Sequence, residues 1–273
     1  MITVNGMASD VVPATDRGLA YGDGVFRTLA VRGGRPVLWA RQYAKLATDC
    51  ARLRIACPSA ELLHEDVVTT AGLESDAAVK IIVTRGAGER GYRVPHEARP
   101  NRIVLSSPLP AYPDAYRNDG IAAMLCETRL GTQPALAGVK HLNRLENVLA
   151  RAEWGDDAHA EGIVRDQEGR IIGGTMSNVF IVESDVLVTP DLTRCGVAGL
   201  TRDLVIERCA AQNVRCAIEA IPLERLLQAD ETFVANSLIG VWPVRSLGGR
   251  RLRTGPMSRR VGVWVYEAQS AAD

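Results

Sequence analysis

The side chains of this sequence that could act as amine nucleophiles are few. The lysines are Lys45, Lys80 and Lys140, and the other 29 of the 32 basic side chains are arginines. A lysine amine can attack a carbonyl carbon and form a covalent intermediate, whereas an arginine stays charged and binds anions. Chemistry that needs a primary amine therefore depends on one of these three residues.

Lys140 has the most suggestive surroundings, because it lies between an apolar turn and a predicted helix in the segment 136–145. A lysine flanked by apolar residues at the end of a turn can be desolvated, which frees a nucleophilic amine. The same position also suits a solvent-exposed lysine at a helix start, and its neighbours alone leave both interpretations open. Lys80 alternates with Val79 and Ile81, a pattern typical of the solvent face of a strand.

A glycine pattern, Gly-x-Gly-x-x-Gly, occurs at 86–91 directly after a predicted strand. A dinucleotide site needs the third glycine to begin a helix that holds the pyrophosphate, but the following Tyr92–Pro95 do not begin one. The pattern therefore favours a flexible loop that presents Arg85, Arg90 and Arg93 to an anionic ligand. A solvated, arginine-rich surface loop explains the same residues equally well.

Three segments with small or hydroxyl side chains could contact a ligand, and together they supply two candidate phosphate sites. Gly173–Phe180 precedes a predicted strand, and its small residues allow a ligand close to the backbone. Gly196–Asp203 runs into a predicted helix with Thr201 as its N-cap, so its amides and the Thr201 hydroxyl could bind an anion. Ala235–Leu238 follows a predicted strand and could add a hydroxyl. Each segment alone is also explained by an ordinary loop or helix cap.

Helices and strands that would position these segments are predicted in both halves of the chain. Apolar residues at spacings of three and four predict helices at 39–53, 142–152 and 201–211. Short apolar or β-branched runs predict strands at 79–84, 103–106, 121–126, 179–182 and 186–189, the last two as a hairpin. The elements interleave without a regular βαβ rhythm, which predicts an α+β (mixed α/β) enzyme of two domains.

Composition excludes several functional classes. The 32 acidic side chains balance the 32 basic ones, whereas a nucleic-acid partner requires clustered positive charge. The sequence has no apolar run of about 18 residues and no secretory signal, which predicts a cytoplasmic protein without a membrane partner. The 6 cysteines form no Cys-x-x-Cys pair, which predicts reduced thiols. The histidine spacing does not support a zinc site, and no metal is expected.

Four segments together resemble the class IV pyridoxal-phosphate enzymes: Asp16–Phe26, Arg85–Tyr92, Lys140–Glu146 and Thr175–Phe180. That family includes branched-chain and D-amino-acid aminotransferases and aminodeoxychorismate lyase. The segments at 85–92 and 140–146 resemble the lyase in particular. The resemblance implies a two-domain fold-type IV homodimer with pyridoxal 5′-phosphate as cofactor. We expect a smaller N-terminal α/β domain over 1–109, a linker over 110–120 and a larger cofactor-binding domain over 121–273.

The resemblance also implies roles for individual residues. Lys140 is the lysine that forms the Schiff base with the cofactor and acts as the general base. Thr28, two residues after Phe26, corresponds to the threonine that assists departure of the leaving group. Arg90 is the candidate for binding a carboxylate of the substrate.

The implied cofactor contacts include two departures from the family pattern. The phosphate would contact Leu200, Thr201 and Ser237, and also Lys45, which stands where the family has an arginine and lacks its bidentate fork. Gly173 stands where the family has a glutamate that hydrogen-bonds the pyridine nitrogen of the cofactor. Absence of this glutamate weakens the pyridine ring as an electron sink. Another acid could substitute, the reaction could tolerate the weaker sink, or the protein could be impaired.

The implied reaction converts 4-amino-4-deoxychorismate to 4-aminobenzoate and pyruvate, a step towards folate. Because aromatisation drives this elimination, Gly173 need not abolish it. One alternative is a class IV aminotransferase acting on branched-chain or D-amino acids, which would depend more strongly on a protonated pyridine ring. Another is a cofactor-binding protein impaired by Gly173.

Overall fold

The structure, a computed structural model, describes residues 1–72, 76–155 and 158–271. These residues form two compact units. The first contains Met1–Pro110, Val139–Asn143 and the described end of the chain at Ala271, and the second contains Ala111–Gly138 and Arg144–Ser270. Both units combine helices and strands, so the predicted α+β (mixed α/β) class is confirmed.

The first unit is an antiparallel sheet covered by helices on one face. Its elements are β1 (Ile2–Val4), β2 (Met7–Ala8), α1 (Arg17–Tyr21), β3 (Gly24–Arg32), β4 (Arg35–Pro36), α2 (Trp39–Arg52), α3 (Ala60–Ala71), β5 (Ala77–Thr84) and β6 (Asn101–Ser107). The strand order is β2-β1-β6-β5-β3-β4. The helix predicted at 39–53 and the strands predicted at 79–84 and 103–106 are thereby confirmed as α2, β5 and β6.

The two faces of this sheet have different roles because side chains alternate along a strand. One set of residues on β3 and β5 packs with α2 and α3 to form the core: Val25, Leu29, Val31, Val79, Ile81 and Val83. The intervening residues Phe26, Thr28 and Lys80 are half-buried on the other face. Thr28 and Lys80 are direct partners across the β3–β5 pairing.

The second unit contains a larger mixed sheet. Its elements are α4 (Asp114–Asn118), β7 (Ile121–Leu130), α5 (Leu145–Arg151), β8 (Glu161–Asp166), β9 (Arg170–Gly174), β10 (Asn178–Glu183), β11 (Val186–Pro190), α6 (Leu200–Ala211), β12 (Cys216–Glu219), β13 (Ile221–Pro222), α7 (Leu223–Gln228), β14 (Glu231–Asn236), β15 (Gly240–Leu247), β16 (Arg250–Arg251) and α8 (Pro256–Ser270). The strand order is β12-β11-β10-β14-β15-β7-β8-β9-β13, and β16 pairs with β15. The hairpin predicted around 183–185 is confirmed as β10 and β11.

Two predicted segments differ from their observed form. The helix predicted from residue 142 begins only at Leu145, because residues 140–142 are extended and hydrogen-bond along the edge of β3. The segment expected as a linker, 110–120, includes α4 and packs in the second unit. There the rings of Tyr112 and Tyr116 meet the Trp242 ring edge-on, with centroids 4.7 and 5.1 Å away. These aromatic contacts attach the segment to β15, although most of its residues stay exposed and Tyr116 is half-buried.

The buried thiols of the chain are unreactive. All six cysteines are free, and Cys50, Cys126, Cys195 and Cys209 are buried. Burial raises the pKa of Cys126 to about 12 and that of Cys195 to about 11. Because the thiolate is the reactive form, these two side chains behave as small apolar residues near neutral pH.

Membrane spans and metal clusters are also absent from the described ranges. Within residues 1–72, 76–155 and 158–271, every helix is too short or too polar to cross a bilayer. The same ranges contain no group of three or more His, Cys, Asp or Glu side chains arranged to hold a metal ion.

Candidate active site

Lys140 lies on a short extended segment whose backbone is held on both sides. The Phe26 N–H donates to the Lys140 carbonyl at 2.9 Å, and the Leu142 N–H donates to the Gly24 carbonyl at 3.0 Å. The Lys140 N–H donates to the Asp49 carboxylate at 3.2 Å. The root of the lysine side chain is therefore fixed within the first unit.

The Lys140 amine lies over the ring of Phe26. Its Nζ is 4.5 Å from the ring centroid, and Nζ of Lys80 is 4.8 Å from the same centroid. Both distances are within the range of a cation–π interaction. Lys80 was expected to be an ordinary strand residue, but the structure makes it a neighbour of Lys140. Thr28 lies on the same strand face, so the first unit gathers two amines and a hydroxyl around Phe26.

Lys45 lies on α2, one helical turn before Asp49. Its side chain is half-buried, and its carbonyl accepts a hydrogen bond from the Arg27 guanidinium at 3.4 Å. The backbone of this turn is therefore linked to β3, the strand that carries Phe26. The contact between the Lys45 side chain and a phosphate stays a prediction.

Arg85 does not serve the ligand-binding role suggested by its place in the glycine-rich segment. It is 5% exposed and donates to the Asp23 carboxylate at 2.8 Å and to the Leu53 and Arg54 carbonyls at 2.7 Å. Burial alone would raise the pKa of Asp23, but the hydrogen bonds and charges of Arg85 and Arg17 outweigh it and hold the pKa below its ordinary value of 3.8. The expectation that Arg85 binds an external anion was wrong, since its donors are already used.

Arg90 is exposed at the tip of a loop that a second arginine fixes. The buried Arg17 guanidinium donates to the carbonyls of Gly91, Tyr92 and Arg93 at 3.0, 3.3 and 3.3 Å. Residues 85–100, all described, contain no helix, which a dinucleotide site would require at this place. The Arg90 side chain is exposed, so an anion in solution can reach it.

In the second unit, the start of α6 has no side-chain cap on its first N–H groups. The N-cap is Gly199, and Leu200 and Thr201 are buried in the first turn. The predicted N-cap, Thr201, was wrong: Gly199 is the N-cap, and its own N–H donates to the Asn178 Oδ1 at 3.1 Å. A Cβ at Gly199 would lie 2.3 Å from that oxygen. The first N–H groups of a helix lack intrahelical acceptors and favour anions.

The Ser237 turn lies at the same end of the sheet as this helix start. β10 pairs with β14 so that Asn178 is opposite Ala235, two residues before Ser237. Asn236 fixes the turn: its amide donates to the Met176 carbonyl at 3.1 Å and its oxygen accepts from the Leu238 N–H at 2.8 Å. The structure therefore brings Leu200, Thr201 and Ser237 to one region of the second unit.

Gly173 is buried in β9, opposite Val164 of β8. A Cβ at this position would lie 3.0 Å from the Ser177 carbonyl oxygen. A side chain would require that oxygen to move by a few tenths of an ångström. A small shift of the Ser177 carbonyl would therefore make room for the Cβ of the glutamate that the family pattern places here.

Glu161, which the sequence analysis did not single out, is a fully buried carboxylate beside the Thr175–Ser177 turn. One oxygen accepts from the Gly162 N–H at 2.9 Å and from the Thr175 N–H and hydroxyl at 3.0 and 2.5 Å. The other accepts from the Met176 N–H at 3.3 Å and the Ser177 hydroxyl at 2.6 Å. These donors occupy both oxygens, so Glu161 braces the turn and does not replace an acid at Gly173. In the sequence, the only feature that could have indicated this role is the position of Glu161 directly before an apolar strand.

Comparison with known proteins identifies the family. The model for class IV amino-transferases matches residues 24–247. Aminodeoxychorismate lyase of Vibrio harveyi is 34% identical over 247 residues, which cover 90% of this chain and 91% of that protein. The crystal structure of 4-amino-4-deoxychorismate lyase from Pseudomonas aeruginosa is 44% identical, with a TM-score of 0.93 and coverage of 98% of each chain. Branched-chain aminotransferase of Escherichia coli is 25% identical, with a TM-score of 0.81 and coverage of 95% of this chain and 91% of that one. The chain belongs to the class IV amino-transferase family.

Proposed function

We propose that the protein is a pyridoxal-phosphate-dependent lyase that converts 4-amino-4-deoxychorismate to 4-aminobenzoate and pyruvate, a step towards folate. The observation that carries the proposal is the placement of Lys140. It is one of three lysines, its backbone is fixed on both sides, and its amine lies over Phe26 on the strand that also carries Thr28. Similarity to the lyase of Pseudomonas aeruginosa over 98% of each chain supports the same assignment.

The residues present fit the functional groups of pyridoxal phosphate. An aldehyde requires an amine, which Lys140 supplies, and a phosphate requires N–H donors, which the first turn of α6 supplies. Gly199 keeps the start of this turn free of a side chain, and Ser237 and Lys45 would add a hydroxyl and a positive charge. The bound cofactor would supply an electron sink for the negative charge that develops on the substrate carbon.

The chain's own residues then account for the proton movements. The Lys140 amine removes the proton from the substrate carbon that bears nitrogen, which is general-base catalysis. The Thr28 hydroxyl donates a hydrogen bond or a proton to the enolpyruvyl oxygen as it departs. Arg90, at the tip of the loop fixed by Arg17, binds a substrate carboxylate. The reaction needs a general base, a proton or hydrogen-bond donor, and a cation that binds a carboxylate. Lys140, Thr28 and Arg90 are residues of these three types.

Gly173 favours elimination over transamination. Without a carboxylate beside the pyridine nitrogen, the cofactor is a weaker electron sink. Formation of an aromatic product drives the lyase reaction forward, so it tolerates this loss better than a transamination does. The rival assignment, an aminotransferase for branched-chain or D-amino acids, draws on the similarity to the Escherichia coli enzyme.

The test is product analysis with the purified protein, added pyridoxal phosphate and 4-amino-4-deoxychorismate. We expect 4-aminobenzoate and pyruvate in equal amounts. In a parallel assay with a branched-chain or D-amino acid and a second 2-oxo acid as amino acceptor, formation of the matching 2-oxo acid, with no pyruvate from 4-amino-4-deoxychorismate, would assign the protein to the aminotransferases. A visible cofactor band without either product would indicate a binding protein impaired at Gly173.

The proposal includes a cytoplasmic homodimer. Exposed apolar side chains on α5 support self-association, since Leu145, Val148 and Leu149 are 69%, 60% and 55% exposed. The free thiols support a reducing compartment. Light scattering should give twice the mass of the chain, and replacing Val148 and Leu149 by serine should reduce it to that of the monomer.

A further inference from the structure

A buried ion pair in the first unit lies directly behind the proposed cofactor lysine. Arg27 of β3 and Asp49 of α2 form a salt bridge whose side chains are 3% and 6% exposed. Arg27 is on the strand face that otherwise carries Val25 and Leu29, so it occupies a place in the apolar core. Removing two charges from water is costly, and a buried pair is often no more stable than an apolar replacement. Core stability alone therefore does not explain this pair.

Both members of the pair also hydrogen-bond to backbone next to the proposed cofactor contacts. The Asp49 carboxylate accepts from the Lys140 N–H at 3.2 Å, and the Arg27 guanidinium donates to the Lys45 carbonyl at 3.4 Å. A hydrogen bond to a charged group is stronger than one between neutral groups. One ion pair thus reaches the backbone of two of the three lysines in the chain.

We propose that Arg27 and Asp49 are positioning residues that fix the Lys140 backbone for its reaction with a carbonyl compound. The Lys140 carbonyl is held by the Phe26 N–H at 2.9 Å, so Asp49 supplies the restraint on the opposite side of the residue. Without it, the segment 139–140 can rotate and the amine loses its fixed root above Phe26. This inference rests on the proposed function for the identity of the carbonyl compound, pyridoxal phosphate.

The test replaces both charges by apolar side chains of similar size, Arg27→Met with Asp49→Leu. Such a double change leaves no unpaired charge, so we expect the variant to fold, although the Lys140 N–H loses its acceptor and the free energy of unfolding falls for that reason. The Lys140 amine, however, loses its restraint. We expect kcat to fall about 10- to 100-fold with KM little changed, because small misplacements of a reacting group have effects of this size.

A matched control is available in the same unit. Arg102 of β6 and Asp66 of α3 form a second strand-to-helix ion pair, 2.7 Å apart and with side chains 16% and 5% exposed. Arg102→Met with Asp66→Leu removes the same charges away from Lys140. We expect this variant to keep the kinetic constants of the parent protein.

A measurement on the protein without cofactor separates positioning from catalysis. The amine reagent trinitrobenzenesulfonate is applied, and the labelling rates of Lys140 and Lys80 are followed by peptide mass spectrometry. We expect the ratio of the Lys140 rate to the Lys80 rate to change at least about threefold in the Arg27→Met, Asp49→Leu variant and to be constant in the control. If the ratio and kcat are unchanged in a folded double variant, the inference is wrong.

A second double variant guards against a general effect of losing the ion pair. Arg27→Met with Asp49→Asn also leaves no buried charge but keeps an oxygen that can accept from the Lys140 N–H, so we expect an effect smaller than that of Arg27→Met with Asp49→Leu. Equal effects of the two double variants on the labelling ratio would contradict the positioning role. If the parent protein forms no visible band with pyridoxal phosphate while the labelling ratio still depends on Asp49, the proposed function fails and the positioning role stands.

Discussion

Two regions of the molecule, the surroundings of Lys140 in the first unit and the Thr175–Ser177 turn in the second, are held by different electrostatics. In the first unit, the carboxylates of Asp49 and Asp23 pair with arginines: Asp49 with Arg27, and the half-buried Asp23 with Arg85 and Arg17. In the second unit, the buried carboxylate of Glu161 is stabilised by three backbone N–H groups and two hydroxyls.

This difference determines how each of these regions responds to substitution of its carboxylate. Removing one member of an ion pair leaves a buried charge, whereas removing both members can be neutral. Removing Glu161 leaves several neutral donors without an acceptor, and no single second change satisfies them. The Arg27–Asp49 pair should therefore tolerate paired replacement better than loss of one member, and the Thr175–Ser177 turn should not tolerate loss of Glu161.

The largest expected effect is that of Lys140→Ala, which removes the amine that the first unit positions. We expect loss of the visible band with pyridoxal phosphate and a fall in kcat of about 1,000-fold or more. Lys80→Ala is the matched comparison, since both amines lie near the Phe26 ring. A visible band in Lys140→Ala and its loss in Lys80→Ala would reverse the assignment of the two lysines.

The second largest effect is expected for Glu161→Ala, which removes the carboxylate that accepts from the N–H groups and hydroxyls of the Thr175–Ser177 turn. We expect the free energy of unfolding to fall by about 4 kcal/mol, because several buried donors lose their acceptor at about 1–3 kcal/mol each. Affinity for inorganic phosphate, measured by its competition with pyridoxal phosphate, should fall as well.

The control for this variant is Glu231→Ala. Glu231 is also a buried carboxylate and accepts from the Met257 and Ser258 N–H groups at 2.8 and 2.9 Å, at the start of α8. Its loss should lower stability and leave phosphate affinity unchanged. Equal losses of phosphate affinity in the two variants would show that Glu161 has no specific link to the phosphate region.

The third effect is that of Gly173→Glu, which adds the carboxylate that the family pattern expects. We expect kcat to rise up to about tenfold, equivalent to about 1.4 kcal/mol of barrier, because the electron sink becomes stronger. Gly173→Gln, of equal size and without charge, should give no rise. If both variants lower kcat, the space beside the Ser177 carbonyl is too small and the glycine is required by packing.

The smallest effect concerns the pH dependence of the first unit. The pKa of Asp23 is lowered in the folded protein, so its contribution to stability is present above its ordinary value and is lost as the pH falls through the lowered value. Asp23→Asn should therefore destabilise the protein at neutral pH, and the loss should shrink as the pH falls below the ordinary pKa of 3.8. Urea unfolding over a series of pH values measures this, and a loss that is the same at every pH would exclude the ion pairs as the cause.

Local pattern was sufficient to predict much of the fold. The helix α2 and the hairpin of β10 and β11 depend on apolar spacing and turn residues within one short segment, and both were confirmed. The N-cap of α6 was predicted two residues late, at Thr201 instead of Gly199, because Gly199 is held by the side chain of Asn178, a residue distant in sequence.

The positions of the site residues depended on contacts that no local pattern encodes. The segment at 140–142 is extended because it pairs with β3, more than a hundred residues earlier in the chain. Arg85 is unavailable to a ligand because the Leu53 and Arg54 carbonyls use its donors. The roles of Lys140, Thr28 and Arg90 came from resemblance to a family and stay predictions.

The most direct test of the account is the site of covalent attachment of pyridoxal phosphate. The protein is incubated with the cofactor and reduced with borohydride, and the labelled peptide is identified by mass spectrometry. Because the chain has only Lys45, Lys80 and Lys140 as lysines, all alternatives are resolved in one experiment. We predict one phosphopyridoxyl group per chain, on Lys140. Attachment to Lys45 or Lys80, or the absence of any stable adduct, would contradict the account.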